Sequence, residues 1–416
     1  MPAFAVDGQE APGRTAPVAL SGFGTLGLTH TRAPHGWRFA RELMQRGADG
    51  PTSLSADSRL GLQLDAMLGP DWQATAQLGL RERAPDARAG EALEWATLGW
   101  RPLADLQVRL GRTSPDMFLY ADTRNLGLAL PWVRPPVEVY GWMPFASLDG
   151  ADLTLRWPGG GADWRARLAV GRLDSTVAAL WLDRSVRARA RDVGTLSLTR
   201  ETDGLTLKAS ALAARTWVDH LPQTQQLRDG LEALAGLPAV AATARSLIDT
   251  MEVGGQTRYL ALGAQLDRGS WQWQAEWSRV SLQQGSPAGR RAYLGVGHRV
   301  GPLTVHALLA RSRPSRALPG APGLGAALEP LVGPVQAAQA QALAEGAIMT
   351  ARLSRFDQRT VSLGLRWDLR GDSALKFQID RVKVAADGAG AWRHGSPQAG
   401  RATVGTVVFD FTWGQG

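Results

Sequence analysis

The sequence predicts an all-β chain, 16 antiparallel strands closed on themselves as a transmembrane β-barrel. Three observations predict it. Hydrophobicity alternates with period 2 over segments of roughly ten residues along almost the whole chain, as expected of strands with an apolar environment on one face and water on the other. The spacers between those segments alternate between tight turns and long loops, which puts all the short connections at one end. No run of about 18–20 apolar, charge-free residues occurs, so no helix carries the chain across a bilayer.

The strands are expected near residues 18–29, 55–68, 72–83, 91–101, 105–113, 149–157, 164–173, 193–201, 205–217, 256–267, 271–283, 291–300, 302–312, 359–370, 374–385 and 401–413. In the second, Leu60, Leu62 and Leu64 share one face against Arg59, Gly61, Gln63 and Asp65. The third repeats this with Ala74, Ala76, Leu78 and Leu80 against Gln73, Thr75, Gln77 and Arg81. The fifth sets Leu106, Val108 and Leu110 against Gln107 and Arg109, and the sixth sets Leu153, Leu155 and Trp157 against Asp152, Thr154 and Arg156. The fourteenth sets Val361, Leu363, Leu365 and Trp367 against Thr360, Ser362, Gly364, Arg366 and Asp368. Turns such as Gly69-Pro70-Asp71, Thr202-Asp203-Gly204, Arg268-Gly269-Ser270 and Gly371-Asp372-Ser373 have the residues that tight reversals need. Long spacers cover about 30–54, 113–148, 174–192, 218–255, 313–358 and 386–400.

Closure satisfies every backbone group, which is what hydrocarbon demands of a sheet. A soluble sandwich would bury the leucine faces on a second sheet, and a propeller would need repeats of about 40–50 residues, which this sequence does not contain. Tryptophans on the apolar face near strand ends, Trp157, Trp271, Trp273, Trp277, Trp367 and Trp413, fit an interfacial girdle. The domain plan is one barrel over 18–413, preceded by an arm at 1–17 and followed by a tail at 414–416. Ala3-Phe4-Ala5 resembles the small-x-small end of a secretory signal, so the arm is read as a signal remnant or a disordered leader. The loops 218–255 and 313–358 are partly helical by period: Leu227, Leu231, Leu234 and then Val240, Ala244, Leu247 form one or two amphipathic helices broken at Pro238, and Ala337–Ala351 is good helix material. These helices are expected to cap the barrel mouth.

Composition removes several classes. With 44% hydrophobic and 20% charged residues the chain is neither a disordered polyampholyte nor a collagen-like repeat. The absence of cysteine excludes disulfides, thiolate chemistry and iron–sulfur sites. The formal charge is +8, and all the lysines are Lys208, Lys376 and Lys383, the other cations being arginines. They are dispersed at alternate positions, as Arg165 and Arg167 are, where a nucleic-acid binder would concentrate them. Gly22-Phe23-Gly24-Thr25-Leu26-Gly27 matches a dinucleotide fingerprint, yet no helix follows it to receive a pyrophosphate, and strand glycines account for it better. The six histidines, 30, 35, 220, 298, 306 and 394, form no metal-ligand spacing. No nucleophile–base motif stands out, so no cofactor and no enzymatic activity are expected.

The connection after the fifth strand, Gly111 to Tyr140, is aromatic, stiffened by Pro115, Pro131, Pro135 and Pro136, and carries both signs of charge. Together with Ser21–Gly27, Asp57–Asp65, the Asp122–Tyr140 run and the strand pattern, it resembles the Gram-negative outer-membrane porins, in particular β-proteobacterial porin-like proteins. That resemblance covers about residues 18–413 and implies short periplasmic turns, long extracellular loops, an inward-folded third loop at 114–147 acting as a constriction, and a homotrimer. It also implies an outer-membrane location, with lipid and lipopolysaccharide as neighbours and no nucleic-acid partner. The lumenal candidates are Arg59, Arg81, Arg109, Arg366 and Lys376, facing a loop that carries Asp116, Asp122, Arg124, Arg134 and Glu138. Lumenal cations in excess favour anions, and acids opposite them would set up a transverse field. The expectation is a passive diffusion channel for small hydrophilic or anionic solutes, with a substrate-specific channel and a plugged barrel serving as adhesin or structural protein as the alternatives.

Overall fold

The computed structural model describes residues 18–34, 36–179, 183–285, 287–318, 320–386, 388, 392–393 and 399–414. The expected N-terminal arm, His35, His394 and residues 415–416 lie outside them. Among the described residues, sixteen long strands make one closed antiparallel sheet, with the two-residue strand Thr52–Ser53 also paired to the first of them. They are β1 (Val18–Arg32), β2 (Arg59–Met67), β3 (Trp72–Arg81), β4 (Leu93–Leu103), β5 (Leu106–Thr113), β6 (Leu148–Gly159), β7 (Ala162–Ala179) and β8 (Arg184–Thr202). The second half comprises β9 (Leu205–Val218), β10 (Gly254–Arg268), β11 (Trp271–Gln284), β12 (Gly289–Val300), β13 (Leu303–Pro314), β14 (Gln358–Arg370), β15 (Ser373–Val384) and β16 (Gly400–Gly414). Each strand pairs with the next, and β1 pairs with β16 from Ser21↔Gly414 to Arg32↔Thr403, so the sheet has no open edge.

The alternation of the sequence sets the two faces. On β14, Leu363 is 62% exposed and its neighbour Ser362 is 2% exposed, which puts the leucine outside and the serine in the lumen. The outer face then shows a continuous apolar belt, with Leu26, Leu260, Leu294, Val305 and Ile379 all exposed. Such a surface is stable against lipid and not against water. Below the belt, at the end with the tight turns, paired indoles face outward: Trp72 on Trp100 at 5.9 Å, Trp157 on Trp164 at 6.2 Å and Trp271 on Trp273 at 6.0 Å. Among the described residues no helix is long and apolar enough to cross a membrane.

The wall is uneven. β2 to β5 have 9, 10, 11 and 8 residues, while β7 and β8 have 18 and 19. The expected loop over 174–192 is in fact the top of the β7–β8 hairpin, with a bulge between Ala190 and Val193 where Asp192 takes φ +51°. The sequence hides this extension because the two faces exchange character there. Leu173, Val177 and Ala188 point inward and are buried, while Arg172 and Asp174 point outward and are exposed.

At the loop end, α1 (Pro222–Ala235) and α2 (Ala241–Met251) follow β9, and α3 (Leu324–Val332) and α4 (Pro334–Leu353) follow β13. Pro222 and Pro334 stand at the first positions of their helices, where a missing N–H costs nothing. Leu231, Val240, Leu247, Leu328, Ala344 and Ile348 bury one another in a separate core, so the two loops form a four-helix lid over the mouth. His220 Nε2 meets Glu252 at 3.0 Å, joining the strand end before α1 to the residue after α2.

The glycines of the fingerprint-like segment have a seam role. Gly22 and Gly24 lie outward on β1, directly opposite Trp413 and Phe411 of β16. A Cβ on either would run into those rings, which stack along the seam with Phe409. Gly24→Val is therefore expected to cost about 1–3 kcal/mol through overpacking, read as a lower folded fraction by heat-modifiable gel migration. Combining it with Phe411→Ala should recover part of the loss, and an additive double variant would refute the seam role.

Candidate functional site: the loop inside the barrel

The third loop, 114–147, turns into the lumen and is almost wholly buried. Its composition explains why. Met117, Phe118, Trp132, Val139, Tyr140 and Trp142 cannot be left in water, and the upper inner wall offers Tyr259, Val280, Tyr293 and Leu308 to cover them. Ring contacts fix the fit: Phe118–Tyr140 at 4.6 Å, Trp132–Tyr293 edge-on at 5.7 Å and Trp142–Tyr259 at 6.2 Å.

The loop's polar groups are then met by lumenal side chains around the circumference. Toward β7–β9, Ser197 Oγ donates to Asp116 at 2.5 Å, and Lys208 pairs with Asp116 and donates to the Phe118 carbonyl at 2.8 Å. Arg167 donates to the Ser114 carbonyl at 3.0 Å and pairs with Asp122 at 3.5 Å. Toward β10–β12, Glu276 accepts from the Leu119 amide at 2.8 Å, from Tyr293 at 2.9 Å and from Tyr140. Toward β14–β16, Arg366 donates to the Leu128 and Leu130 carbonyls at 2.8 Å. Lys376 donates to the Gly127 carbonyl at 2.6 Å and pairs with Asp410 at 2.8 Å. Gln358 at 2.9 Å and Thr360 donate to Glu138. Toward β2 and β4, Arg59 donates to the Asn125 carbonyl at 2.6 Å and Asn125 donates to Glu94 at 3.0 Å. A loop bound to opposite walls crosses the lumen.

The centre of this network is Arg134. Its guanidinium donates two bonds to Asp57 at 2.8 and 2.7 Å, one to Asp380 at 2.6 Å and one to Thr406 at 2.5 Å, and it lies 4.8 Å from the Phe39 ring. Burial alone would raise the Asp57 carboxyl, but Arg134 and the Thr29 hydroxyl together bring it down to about 2. Arg134 itself is carried above its ordinary value, the two carboxylates outweighing the cost of burial. Such a bidentate pair fixes direction as well as distance.

The first loop also folds inward, which the sequence did not signal beyond its Trp37-Arg38-Phe39 run. Leu43 N donates to the Gly141 carbonyl at 2.9 Å, so this loop lies on the third. Arg41 donates to Asn125 at 3.1 Å. Arg38–Phe39 pairs with Trp392–Arg393 of the last loop, and Trp37 and Trp392 meet at 5.5 Å. Burial lowers Arg41 to about 10 and pushes Arg124 below its ordinary value. Around Asn125 the guanidinium groups of Arg41, Arg59, Arg81 and Arg124 gather with the carboxylates of Glu42 and Glu94, while Asp57 and Asp122 close by are paired with Arg134 and Arg167.

All ten sequence candidates lie at the lumenal wall or on the loop, and most of them are engaged with loop carbonyls or in ion pairs. Arg59, Arg366 and Lys376 hold loop carbonyls, Arg109 pairs with Asp152 at 3.0 Å, and Arg81 pairs with Glu42 and, at 3.3 Å, with Glu94. Asp116, Asp122, Arg134 and Glu138 are occupied as described. Arg124 and Asp122 border a narrow polar gap of about 40 Å³ with Gln63, Gln77 and Glu94. Above the loop and under the lid lies a second space, about 220 Å³, lined by Met117, Trp142, Leu173, Val177, Leu212 and Val280. The wall residues that anchor the loop, Asp57, Lys208, Glu276 and Asp380, are ordinary lumenal positions by period, and nothing in the sequence marks them as partners of a distant loop.

Removing Arg134 leaves two buried carboxylates without their cation. Arg134→Ala is expected to cost about 3–5 kcal/mol and to raise amide exchange across 114–147. The pair also sets an acid limit. Because the Asp57 carboxyl falls to about 2 on folding, below its ordinary value of about 3.9, its stabilisation is complete above about pH 4 and is lost as pH falls through about 2. Loop protection that is unchanged between pH 7 and pH 2 would refute that linkage.

Comparison with solved structures gives outer-membrane barrels. The outer membrane channel DcaP of Acinetobacter baumannii matches with a TM-score of 0.50 and 9% identity, over 96% of this chain and 99% of that one. The anion-selective porin from Comamonas acidovorans matches at 0.49 and 13% identity, over 95% and 100%. OmpT of Vibrio cholerae matches at 0.48 and 7% identity, over 96% and 99%. No family model and no curated protein matches the sequence. With its closed barrel, lipid-facing belt and inward third loop, the chain has the fold of an outer-membrane β-barrel channel such as DcaP.

Proposed function

We propose that this protein is a porin-type channel that passes small hydrophilic solutes through a lumen narrowed by the third loop, with a modest preference for anions. The observation that carries the reading is the loop itself, which is held across the lumen from several sides and leaves a narrow polar gap beside Arg124. The preference for anions rests on Arg41 and Arg124, buried guanidinium groups whose neighbouring carboxylates Asp57 and Asp122 are shared with Arg134 and Arg167. Assembly as a homotrimer belongs to the same proposal. The short wall of β2 to β5 carries exposed Leu64, Leu78, Leu80 and Leu98, a face suited to cover by a second copy.

One observation favours a substrate-specific channel as a second reading. The apolar space under the lid offers nothing to a sugar or an inorganic ion, and it would suit a solute with an apolar part.

Single-channel recording in planar bilayers distinguishes these readings. The expected result is a small conductance whose reversal potential in a salt gradient has the sign for anions. Arg41→Gln with Arg124→Gln should move that potential toward cations, and Arg134→Ala should increase conductance by loosening the loop. Cation preference in the unmodified protein would remove the selectivity claim. No conductance in any of the three proteins would leave a plugged barrel.

A further inference from the structure

Arg291 is a buried cation to which the barrel wall offers no anion. It lies on β12, 2% exposed, and faces inward between Ser278 of β11 and Ser312 of β13, which bring hydroxyls and no charge. Its Nη2 donates to the Pro287 carbonyl at 3.1 Å, and the guanidinium lies 3.8 Å from the centre of the Trp142 ring on the third loop. Nε and Nη1 meet no acceptor, and no carboxylate among the described residues pairs with the group. Other buried lumenal cations are met differently: Arg134 has Asp57 and Asp380, Lys208 has Asp116, and Lys376 has Asp410. A buried guanidinium with no counter-charge is costly, and a neutral side chain would serve better if packing were its only task.

The surroundings of Arg291 identify what can neutralise it. Trp142 and Pro287, which touch it, and Tyr259, whose phenol bears on its charge, all line the apolar space under the lid, together with Val177, Leu212 and Val280. At about 220 Å³ that space exceeds the roughly 150 Å³ of an apolar cavity that admits benzene. The one carboxylate among its described lining residues, Asp219, is held by Arg189 at 2.9 Å and leaves Arg291 as the charge that a ligand meets. Trp217, Val218, Asp219 and His220 also border a wider space of about 860 Å³ beside α1 and α2, so the chamber continues toward the lid's edge. An apolar chamber with a single cation in its wall suits a molecule with an apolar body and one acidic end. A guanidinium stacked on an indole suits a carboxylate at that end, because its donors stay fixed in direction.

We infer that the chamber under the lid is a binding site for an amphipathic monoanion, a carboxylate on a short hydrocarbon body. The carboxylate accepts from Arg291, and the body lies among Val177, Leu212 and Val280. The site is distinct from the polar gap beside Arg124, and it selects for the apolar body that the gap does not accommodate. It deepens the reading of a substrate-specific channel and rests on the same apolar space.

The test uses the full-length protein in lipid nanodiscs, with protein-free nanodiscs as the blank for partition into the bilayer. Three probes are titrated by calorimetry: octanoate, octanamide, which keeps the chain without the charge, and acetate, which keeps the charge without the chain. Octanoate should bind at least about tenfold more tightly than either of the others. Arg291→Gln should bring octanoate down to the level of octanamide and leave octanamide unchanged. Leu212→Trp, which fills the chamber, should weaken octanoate and octanamide alike. Folding of each variant is checked by heat-modifiable migration, and Val280→Phe replaces Leu212→Trp if the latter does not fold. Equal binding of octanoate and acetate overturns the site by showing one for small anions. Equal binding of octanoate and octanamide by the unmodified protein, or unchanged octanoate binding in Arg291→Gln, overturns it as well. Conductance of the same protein keeps the two readings apart. Octanoate binding without conductance supports the site and refutes the channel, whereas conductance without octanoate binding refutes the site and leaves the channel.

Discussion

A backbone polar group exposed to hydrocarbon has no partner, and the whole molecule follows from that constraint. It is met at one seam, where the first strand of the chain finds the last. The two are far apart in sequence, so the barrel cannot be closed until its final strand is in place. The residues at the seam are specialised accordingly: Gly22 and Gly24 give up side chains so that the rings of Trp413 and Phe411 can cover them. Once closed, the sheet has an inside and an outside, and the period-2 alternation becomes a difference between a wet face and an oily one.

What fills the inside is a second problem, solved by charge as much as by packing. A loop rich in aromatic residues enters the lumen to bury them, and its carbonyls and carboxylates must then be satisfied away from bulk water. The lumenal arginines and lysines do this. Their number, which in the sequence suggests a surface for solutes, serves largely to hold a loop.

The barrel was legible in the sequence because lipid and water impose opposite demands on adjacent residues, as Leu363 and Ser362 do. Legibility ends where those demands stop. In the upper halves of β7 and β8 water lies outside and apolar loops lie inside, so Leu173 and Arg172 break the phase and the segment reads as a loop. The helices of the lid were visible through their own period. The candidate residues of the lumen were visible as positions, but their roles were not. Nothing local to Lys376 says that its partners are the carbonyls of Gly127 and Leu130, because that pairing depends on the path of a loop more than two hundred residues away in the chain. Asp57 and the first loop were missed for the same reason.

The uneven wall has a consequence for how the molecule sits among its neighbours. At about 3.3 Å per residue and a tilt of about 40°, the eight residues of β5 rise only about 20 Å. The nineteen of β8 rise about 48 Å, against an apolar band of about 25 Å. On the tall side the hydrocarbon is spanned with height to spare; on the short side it is not. A bilayer in contact with the short side must thin, at a cost that grows with each ångström of mismatch. The barrel therefore has a front and a back in the plane of the membrane, and its rotation about its own axis is biased by the thickness of whatever stands beside it.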